Sequence, residues 1–188
     1  MYKIVIAGMR KLDDFTPKEL KDKKDGYLED EETLETLFGV LDDAIAFIRE
    51  YLARIEEKPD DGKIEIVSGC ATGADKLGEL YAESRGLALK LFPAEWESWE
   101  GIEESKRVIK TNQFGRKYNP AAGIIRNTRM GDYADAVIVI WDRQSKGTGH
   151  MVGYAKGLSK LVYILDYKNI ASRLAMSRIM NKKKRKGS

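Results

Sequence analysis

Five short apolar runs, each ended by small or turn-forming residues, are spread along the chain. They are Tyr2–Ala7, the run that starts at Ile64, Leu87–Phe92, Asp135–Trp141 and Lys160–Leu165. The first and the fourth lack the alternation of a half-exposed strand, which is typical of strands covered by helices on both faces. The five runs therefore predict the strands of one sheet, with the first and the fourth at its centre.

Apolar residues at helical spacing separate these runs. The clearest set predicts a helix with one apolar stripe, with Thr33 as its N-cap. Its members are Leu34, Leu37, Phe38, Leu41, Ile45, Ile48, Leu52 and Ile55. Further helices are predicted from Asp75 to Gly86, over Ile124–Met130 and over His150–Lys156. Alternation of strand and helix implies right-handed crossovers, so the fold class is α/β, a doubly wound, mainly parallel sheet of about five or more strands.

Three segments do not show this alternation of strands and helices. Residues 11–32 are dominated by charge and contain Pro17 and Gly26, which predicts a mobile, solvent-exposed insertion. Residues 95–122 mix aromatic and charged side chains without a period, which predicts a lid that contains a short helix. Residues 166–188 form a C-terminal extension with one more helix and a basic tail, so a single domain is predicted over residues 1–165.

Composition narrows the classes of protein that fit. The 188 residues carry a net charge of +3 and are 43% hydrophobic, and the single cysteine excludes an internal disulfide and a cysteine-rich metal site. No apolar run approaches the roughly 18 residues needed to cross a membrane, so a soluble, cytoplasmic protein without a membrane partner is expected. Five of the positive charges lie in Lys182–Lys186, and the rest of the chain is slightly acidic. A broad surface for nucleic acid is therefore not predicted, although the tail itself could act as a nucleic-acid arm.

Glycine-containing loops follow three of the predicted strands. Gly8 follows the first strand, residues 68–73 (SGCATG) follow the second and residues 142–149 (DRQSKGTG) follow the fourth. In a doubly wound sheet these loops share one edge, where backbone N–H groups and helix N-termini suit a phosphate. Tight turns selected only for backbone geometry are the alternative. Neither loop contains GxxxxGK[ST] or GxGxxG, so no motif supports ATP hydrolysis or hydride transfer.

Five motifs occur in an order that resembles a known superfamily. VSGCATGAD, FPAEW, GIIRNTRM, ADAVIVIWD and SKGTGHMVGYA are similar to the successive motifs of the SLOG superfamily, which includes the DprA/Smf proteins and the cytokinin-activating LOG proteins. They resemble its YspA-like branch, common in bacteria and phages, most closely. The resemblance runs from Tyr2 to about Leu165 and implies a Rossmann-like domain. It also implies that the glycine loops bind a nucleotide or a nucleotide-derived ligand.

The resemblance and the loop positions together give a set of candidate site residues. The predicted ligand-binding residues are Gly8, Arg10, Ser68, Gly69, Thr72, Gly73, Asp75, Arg126, Asn127, Asp142, Ser145, Gly147, Thr148, Gly149 and His150. Asp75 either complements a helix dipole or contacts a ribose or an oxocarbenium-like centre. His150 either contacts the ligand or has a structural role, or it acts as a general base. No cofactor and no metal are predicted.

LOG enzymes hydrolyse the N-glycosidic bond of a nucleoside monophosphate with an arginine and a glutamate. Arg126 is similar to that arginine, whereas Met151 occupies the position of the glutamate. The resemblance therefore implies a sensor or binding protein, or a nucleotide-derivative hydrolase with Arg126 and Asp75 as catalytic residues. The alternative function is that of a DprA-like DNA-binding accessory protein that uses the basic tail. Association into a homo-oligomer is a further expectation from LOG-like proteins.

Overall fold

The computed structural model describes residues 1–23, 25–55 and 61–186, with side chains as far as Asn181. Its strands are β1 (Tyr2–Gly8), β2 (Ile64–Ser68), β3 (Ala88–Leu91), β4 (Lys110–Thr111), β5 (Lys117–Tyr118), β6 (Ala136–Trp141) and β7 (Leu161–Asp166). Five of them form one sheet in the order β3-β2-β1-β6-β7, in which every pair is parallel. The other two, β4 and β5, form a separate antiparallel pair. The predicted parallel sheet is therefore confirmed.

Helices cover both faces of the sheet. They are α1 (Glu31–Ile55), α2 (Ala74–Ser84), α3 (Ala122–Tyr133), α4 (Lys146–Gly157) and α5 (Tyr167–Lys186). Ile4 and Ile6 of β1 belong to a core shared with α1, α2 and α5, whereas Val5 and Ala7 belong to a core shared with α3 and α4. Because successive side chains from Ile4 to Ala7 enter opposite cores, this part of β1 is apolar without a break. This arrangement confirms the predicted Rossmann-like, doubly wound fold.

The segment predicted as an exposed insertion is folded onto the domain. Residues 11–32 contain short 3-10 helices at Asp13–Phe15, Lys18–Leu20 and Gly26–Glu29. Leu12, Phe15 and Tyr27 are almost completely buried. The Phe15 ring stacks on Tyr167 of α5 at 4.9 Å between centroids. The prediction of a solvent-exposed segment was wrong, because isolated apolar side chains within it complete the core beneath α5.

Side-chain hydrogen bonds explain why α1 and α4 begin earlier than the pattern predicted. The carboxylate of Asp30 accepts the backbone N–H of Thr33 at 3.0 Å, so Asp30 caps α1 and the assignment of Thr33 as the N-cap was wrong. Helix α4 begins at Lys146 rather than at His150, since the Asp142 carboxylate accepts the N–H groups of Gln144 and Ser145, each at 2.9 Å. These two hydrogen bonds close the turn directly after β6. Residues 147–149 consequently belong to the first turn of α4 and not to a loop.

The predicted lid contains a short 3-10 helix at Glu104–Lys106 and, in addition, the β4–β5 hairpin. Buried Asn119 anchors its base: the backbone N–H donates to the Trp96 carbonyl at 2.7 Å, and Nδ2 donates to the Ser98 carbonyl at 2.9 Å. Its Oδ1 accepts the N–H of Ala121, immediately before α3. One amide side chain thus joins both ends of the segment to the domain.

The C-terminal extension forms the predicted helix. Ile170 and Leu174 are buried against the sheet, whereas Ile179 remains 53% exposed. The backbone of α5 stays helical through the basic run as far as Lys186, but the side chains of that run lie outside the described part. Among the residues that are described, no helix is long and apolar enough to cross a membrane.

Candidate functional site

Successive strands are added to one side of β1 and then to the other, so the strand order reverses between β1 and β6, which is the switch point of the sheet. Strands β2 and β3 lie on one side of β1, and β6 and β7 lie on the other. The loops that leave the carboxyl ends of β1 and β6 therefore diverge and leave a crevice, which is where open α/β sheets bind ligands. A cleft of about 550 Å³ occupies this place.

Nine of the fifteen predicted ligand-binding residues line this cleft. They are Gly8, Arg10, Asp75, Arg126, Asn127, Asp142, Ser145, Gly147 and Thr148. The other six are not among its lining residues: Ser68, Gly69, Thr72, Gly73, Gly149 and His150. Gly69 and Thr72 instead line a shallower adjoining depression that also touches Arg10 and Arg126. The structure thus brings together the loops after β1 and β6 and the buried side of α3.

Ser68 and Gly73 shape the loop after β2. Ser68 is completely buried, where its hydroxyl donates to Glu79 Oε1 at 2.8 Å and accepts the N–H of Cys70 at 3.0 Å. Gly73 has a φ of +77°, and a Cβ at this position would lie 2.2 Å from the carbonyl oxygen of Met9. The N–H of Ala74 donates to that same oxygen at 3.0 Å. Both residues therefore position the loop against the loop after β1 without facing the cleft.

A buried ion pair forms one wall of the cleft. Arg126 Nη1 lies 3.1 Å from Asp75 Oδ2, and the two side chains are 9% and 4% exposed. Nη1 also donates to the carbonyl oxygen of Gly69. A Cβ on Gly69 would lie only 1.6 Å from Nη1, so a glycine is required for the guanidinium to lie there. Within the described residues, the buried Nε of Arg126 has no hydrogen-bond partner.

The two carboxylates of the cleft have opposite electrostatic environments. Burial raises the pKa of Asp75, although Arg126 and the N–H of Ala71, at 3.3 Å, favour the charged form. The pKa of Asp142 is lowered, chiefly because the N–H groups of Ser145 and Gln144 donate to its carboxylate. Asp142 therefore presents a permanent negative charge at neutral pH, and Asp75 is held inside the wall by its partners.

Positive charge surrounds the mouth of the cleft. Arg10, Lys11 and Lys146 are exposed lining residues, and none of them takes part in an ion pair with another described residue. The N-terminus of the twelve-residue helix α4 faces the same space through Ser145 to Thr148. The first N–H groups of a helix have no partner within it and carry a partial positive charge. The mouth can therefore hold an anion.

Side-chain contacts fix the orientation of this helix terminus. Asn127 Nδ2 on α3 donates to the carbonyl of Gly147 at 3.1 Å, and Trp141 Nε1 donates to the carbonyl of Ser145 at 3.2 Å. The hydroxyls of Thr148 and Ser145 are 3.1 Å apart and hydrogen bonded. The end of α4 is thus held by β6 and α3 together.

His150 and Met151 occupy different surroundings. The His150 ring stacks on Tyr154 with 6.0 Å between centroids, and its buried Nδ1 has no partner among the described residues. Met151 is 1% exposed and contributes to the cleft lining. The single histidine of the sequence is therefore not among the cleft-lining residues, whereas Met151 contributes its thioether to the lining.

Sequence reasoning missed several residues that line the cleft. They include Lys11, Pro120, Gly123 and Ile124. Lys11 was assigned to the insertion, although it directly follows Arg10 at the carboxyl end of a central strand. That position was the available signal, because such strand ends form the ligand crevice of an open sheet. For the apolar members, the sequence contained no comparable signal.

Comparison with protein-family models matched residues 2–99 to YAcAr, described as the YspA, cpYpsA-related SLOG family. No curated protein and no solved structure gave a significant match. The matched stretch contains β1, β2, the loop with Gly69 and the first turn of α2 with Asp75, whereas Arg126 and the start of α4 follow it. Since the match covers just over half of the 188 residues, this chain belongs to the YspA, cpYpsA-related SLOG family.

Proposed function

We propose that the switch-point cleft binds a nucleotide or a nucleotide-derived ligand. The observation that carries this proposal is the convergence of Arg10, Lys11 and Lys146, none of which is ion paired with a described residue, on the N-terminus of α4. Cationic side chains and helix N–H groups together favour a phosphate, by charge and by hydrogen bonding. Membership of a SLOG family is consistent with this class of ligand.

Other residues of the cleft suit the remaining parts of a nucleotide. The Trp96 ring is 41% exposed at the rim, where it can stack on a base. The ionised carboxylate of Asp142 can accept a ribose hydroxyl, because its lowered pKa keeps it charged at neutral pH. The volume of about 550 Å³ lies within the range of small-molecule sites.

The geometry favours binding over hydrolysis of an N-glycosidic bond. Met151 supplies no carboxylate at the position where LOG enzymes have their glutamate. Asp75 is engaged by Arg126 and by the N–H of Ala71, so its carboxylate stabilises the wall of the cleft. We therefore assign Asp75 and Arg126 a positioning role, and we expect no free base to be released from any nucleoside monophosphate when the products are separated by chromatography.

Titration calorimetry with mononucleotides, cyclic nucleotides and ADP-ribose tests the proposal. At least one of these ligands is expected to bind, and Gly147→Asp should weaken its binding by about tenfold or more, since a carboxylate at the start of α4 repels a phosphate. A Cβ at Gly147 meets no atom within 4 Å, and an acidic residue in a first turn favours the helix, so the variant should fold.

Gly153→Asp is the matched control. Gly153 lies on the same helix, is exposed, has open space around its Cβ position and does not line the cleft. Its substitution should leave the affinity unchanged. Absence of binding by every ligand, or an equal loss in both variants, would contradict the proposal.

A further inference from the structure

The β4–β5 hairpin is strongly basic and remains outside the site described above. Residues 105–118 contain no acidic side chain but five cationic ones: Lys106, Arg107, Lys110, Arg116 and Lys117. Residues 95–104, which lead to the hairpin, contain five glutamates. Charge is thus segregated along the segment. Of the five cations, Lys106 alone is ion paired with a described residue, Glu103 at 2.7 Å.

The register of the hairpin places two unpaired cations beside an aromatic ring. Lys110 lies directly opposite Tyr118, and Thr111 lies opposite Lys117. The N–H of Asn112 donates to the carbonyl of Arg116 at 2.9 Å, which continues the ladder towards the turn. Side chains alternate between the faces of a strand, so Lys110, Arg116 and Tyr118 share one face and Lys117 projects from the other. We call Lys110, Arg116 and Tyr118 the basic face.

Aromatic contact links the basic face to the cleft. The rings of Tyr118 and Trp96 meet edge to face with 6.4 Å between centroids, and Trp96 lines the cleft. The buried Asn119 anchors this place, because its N–H donates to the carbonyl of Trp96 at 2.7 Å. A row of aromatic and cationic side chains therefore leads from the cleft mouth along the hairpin. Beyond it, at the turn, the Phe114 ring is 77% exposed.

We propose that the basic face extends the cleft and binds a single-stranded oligonucleotide, whose terminal nucleotide occupies the cleft. This inference rests on the proposed function, since it requires a cleft that accepts a nucleotide. Proteins bind single strands by combining cations that follow the phosphates with aromatic rings that stack on unpaired bases. The basic face offers both cations and an aromatic ring along one surface. A duplex would hide its base faces from these rings, whereas a single strand exposes them.

Fluorescence anisotropy with fluorescein-labelled oligothymidylates tests the inference on the full chain. Probe lengths from about 2 to about 12 nucleotides cover common site sizes for single strands. Affinity for the native protein should rise with length. In Lys110→Gln/Arg116→Gln, affinity for the longer probes should fall by about tenfold or more, while calorimetric binding of a mononucleotide stays unchanged. The slope of log affinity against log salt should become shallower by about 1.4, because two phosphate contacts are lost.

Lys117→Gln/Arg173→Gln is the matched control, since it also removes one lysine and one arginine. Lys117 lies on the other face of the hairpin and Arg173 lies on the exposed surface of α5. This variant should change oligonucleotide affinity by less than about twofold. The basic tail is present in every variant, so any contribution that it makes is common to all of them.

Each outcome separates the two proposals. Mononucleotide binding without any gain from longer probes, or equal losses in both double variants, overturns the oligonucleotide inference and leaves the proposed function intact. Tight binding of long probes that depends on Lys110 and Arg116 but occurs without mononucleotide binding overturns the proposed function, and with it the placement of the terminal nucleotide in the cleft, and confines the site to the hairpin. Binding to phosphatidylserine vesicles that is lost in Lys110→Gln/Arg116→Gln, without oligonucleotide binding, also overturns the inference and assigns the basic face to an anionic lipid surface.

Discussion

Replacing Arg126 with methionine is expected to lower the free energy of unfolding by about 3 to 5 kcal/mol at neutral pH. Asp75 is 3% exposed, and Arg126 is its ion-pair partner at 3.1 Å. Methionine keeps much of the apolar volume of the arginine stem but leaves the carboxylate buried without a cation. Urea denaturation of the native protein and the variant measures the difference.

The pH dependence of this loss identifies its cause. Burial already raises the pKa of Asp75 above its ordinary value, and removal of Arg126 raises it further. A carboxyl whose pKa is higher in the folded state binds more protons when the chain is folded. It therefore lowers the free energy of unfolding increasingly as pH rises above its pKa in the unfolded chain. The variant should therefore lose least stability in acid and most at neutral pH and above.

Two further variants serve as controls for Arg126. Asp75→Asn/Arg126→Met removes both charges, so it should be more stable than Arg126→Met at neutral pH and lack its pH dependence. Arg129 lies on the same helix as Arg126 but forms an exposed ion pair with Glu95. Arg129→Met should therefore lower the free energy of unfolding by no more than about 1 kcal/mol. A loss in Arg126→Met that is independent of pH, or no greater than that of Arg129→Met, would refute the assigned role of the buried pair.

Gly69→Ala is expected to weaken nucleotide binding by about tenfold or more, although Gly69 does not line the main cleft. The added Cβ would lie 1.6 Å from Nη1 and 2.4 Å from Cζ of Arg126. The guanidinium must then leave its place against Asp75, which distorts the cleft wall that it forms. Titration calorimetry with the ligand that binds the native protein gives the affinity.

Gly39→Ala is the matched control, because it makes the same glycine-to-alanine substitution at a position that does not line the cleft. A Cβ there meets no atom within 4 Å, and Gly39 lies within α1, so alanine should raise stability by about 0.5 to 1 kcal/mol and leave binding unchanged. If Gly69→Ala bound the ligand as tightly as Gly39→Ala, the position of Arg126 would be irrelevant to the site.

Local patterns predicted the framework well because both faces of the central strands are buried. Residues 4–7 of β1 and the whole of β6 are continuous apolar runs since their side chains enter two cores, and α1 carries a long apolar stripe. The segment after β1 could not be predicted in this way. Phe15 is isolated among charged residues, and its burial depends on Tyr167, which is distant in sequence. Likewise, two-residue strands such as β4 and β5 are too short to show alternation.

A residue of the candidate site could be predicted from the sequence where its position at the end of a strand alone brings it to the crevice. Gly8 ends β1 and Asp142 follows β6, and both are central strands, so the topology alone brings these residues to the crevice. The roles of Ser68 and Gly69 depend instead on distant partners, since Glu79 accepts the Ser68 hydroxyl and Arg126 fills the space beside Gly69. Glycines and small polar residues in a loop indicate that another group packs closely against its backbone, but they do not identify that group.

The most direct test of the central claim is a two-dimensional amide NMR titration of the native protein with AMP, ADP, cyclic AMP and ADP-ribose. If the cleft binds a nucleotide-derived ligand, at least one of them should shift the amide signals of residues 8–11 and 145–148 together, because both stretches line the same cleft. Signals from residues 45–55, the end of α1 that leads towards the amino end of β2, should stay in place. Absence of shifts with all four ligands at millimolar concentration, or shifts confined to other parts of the chain, would contradict the claim.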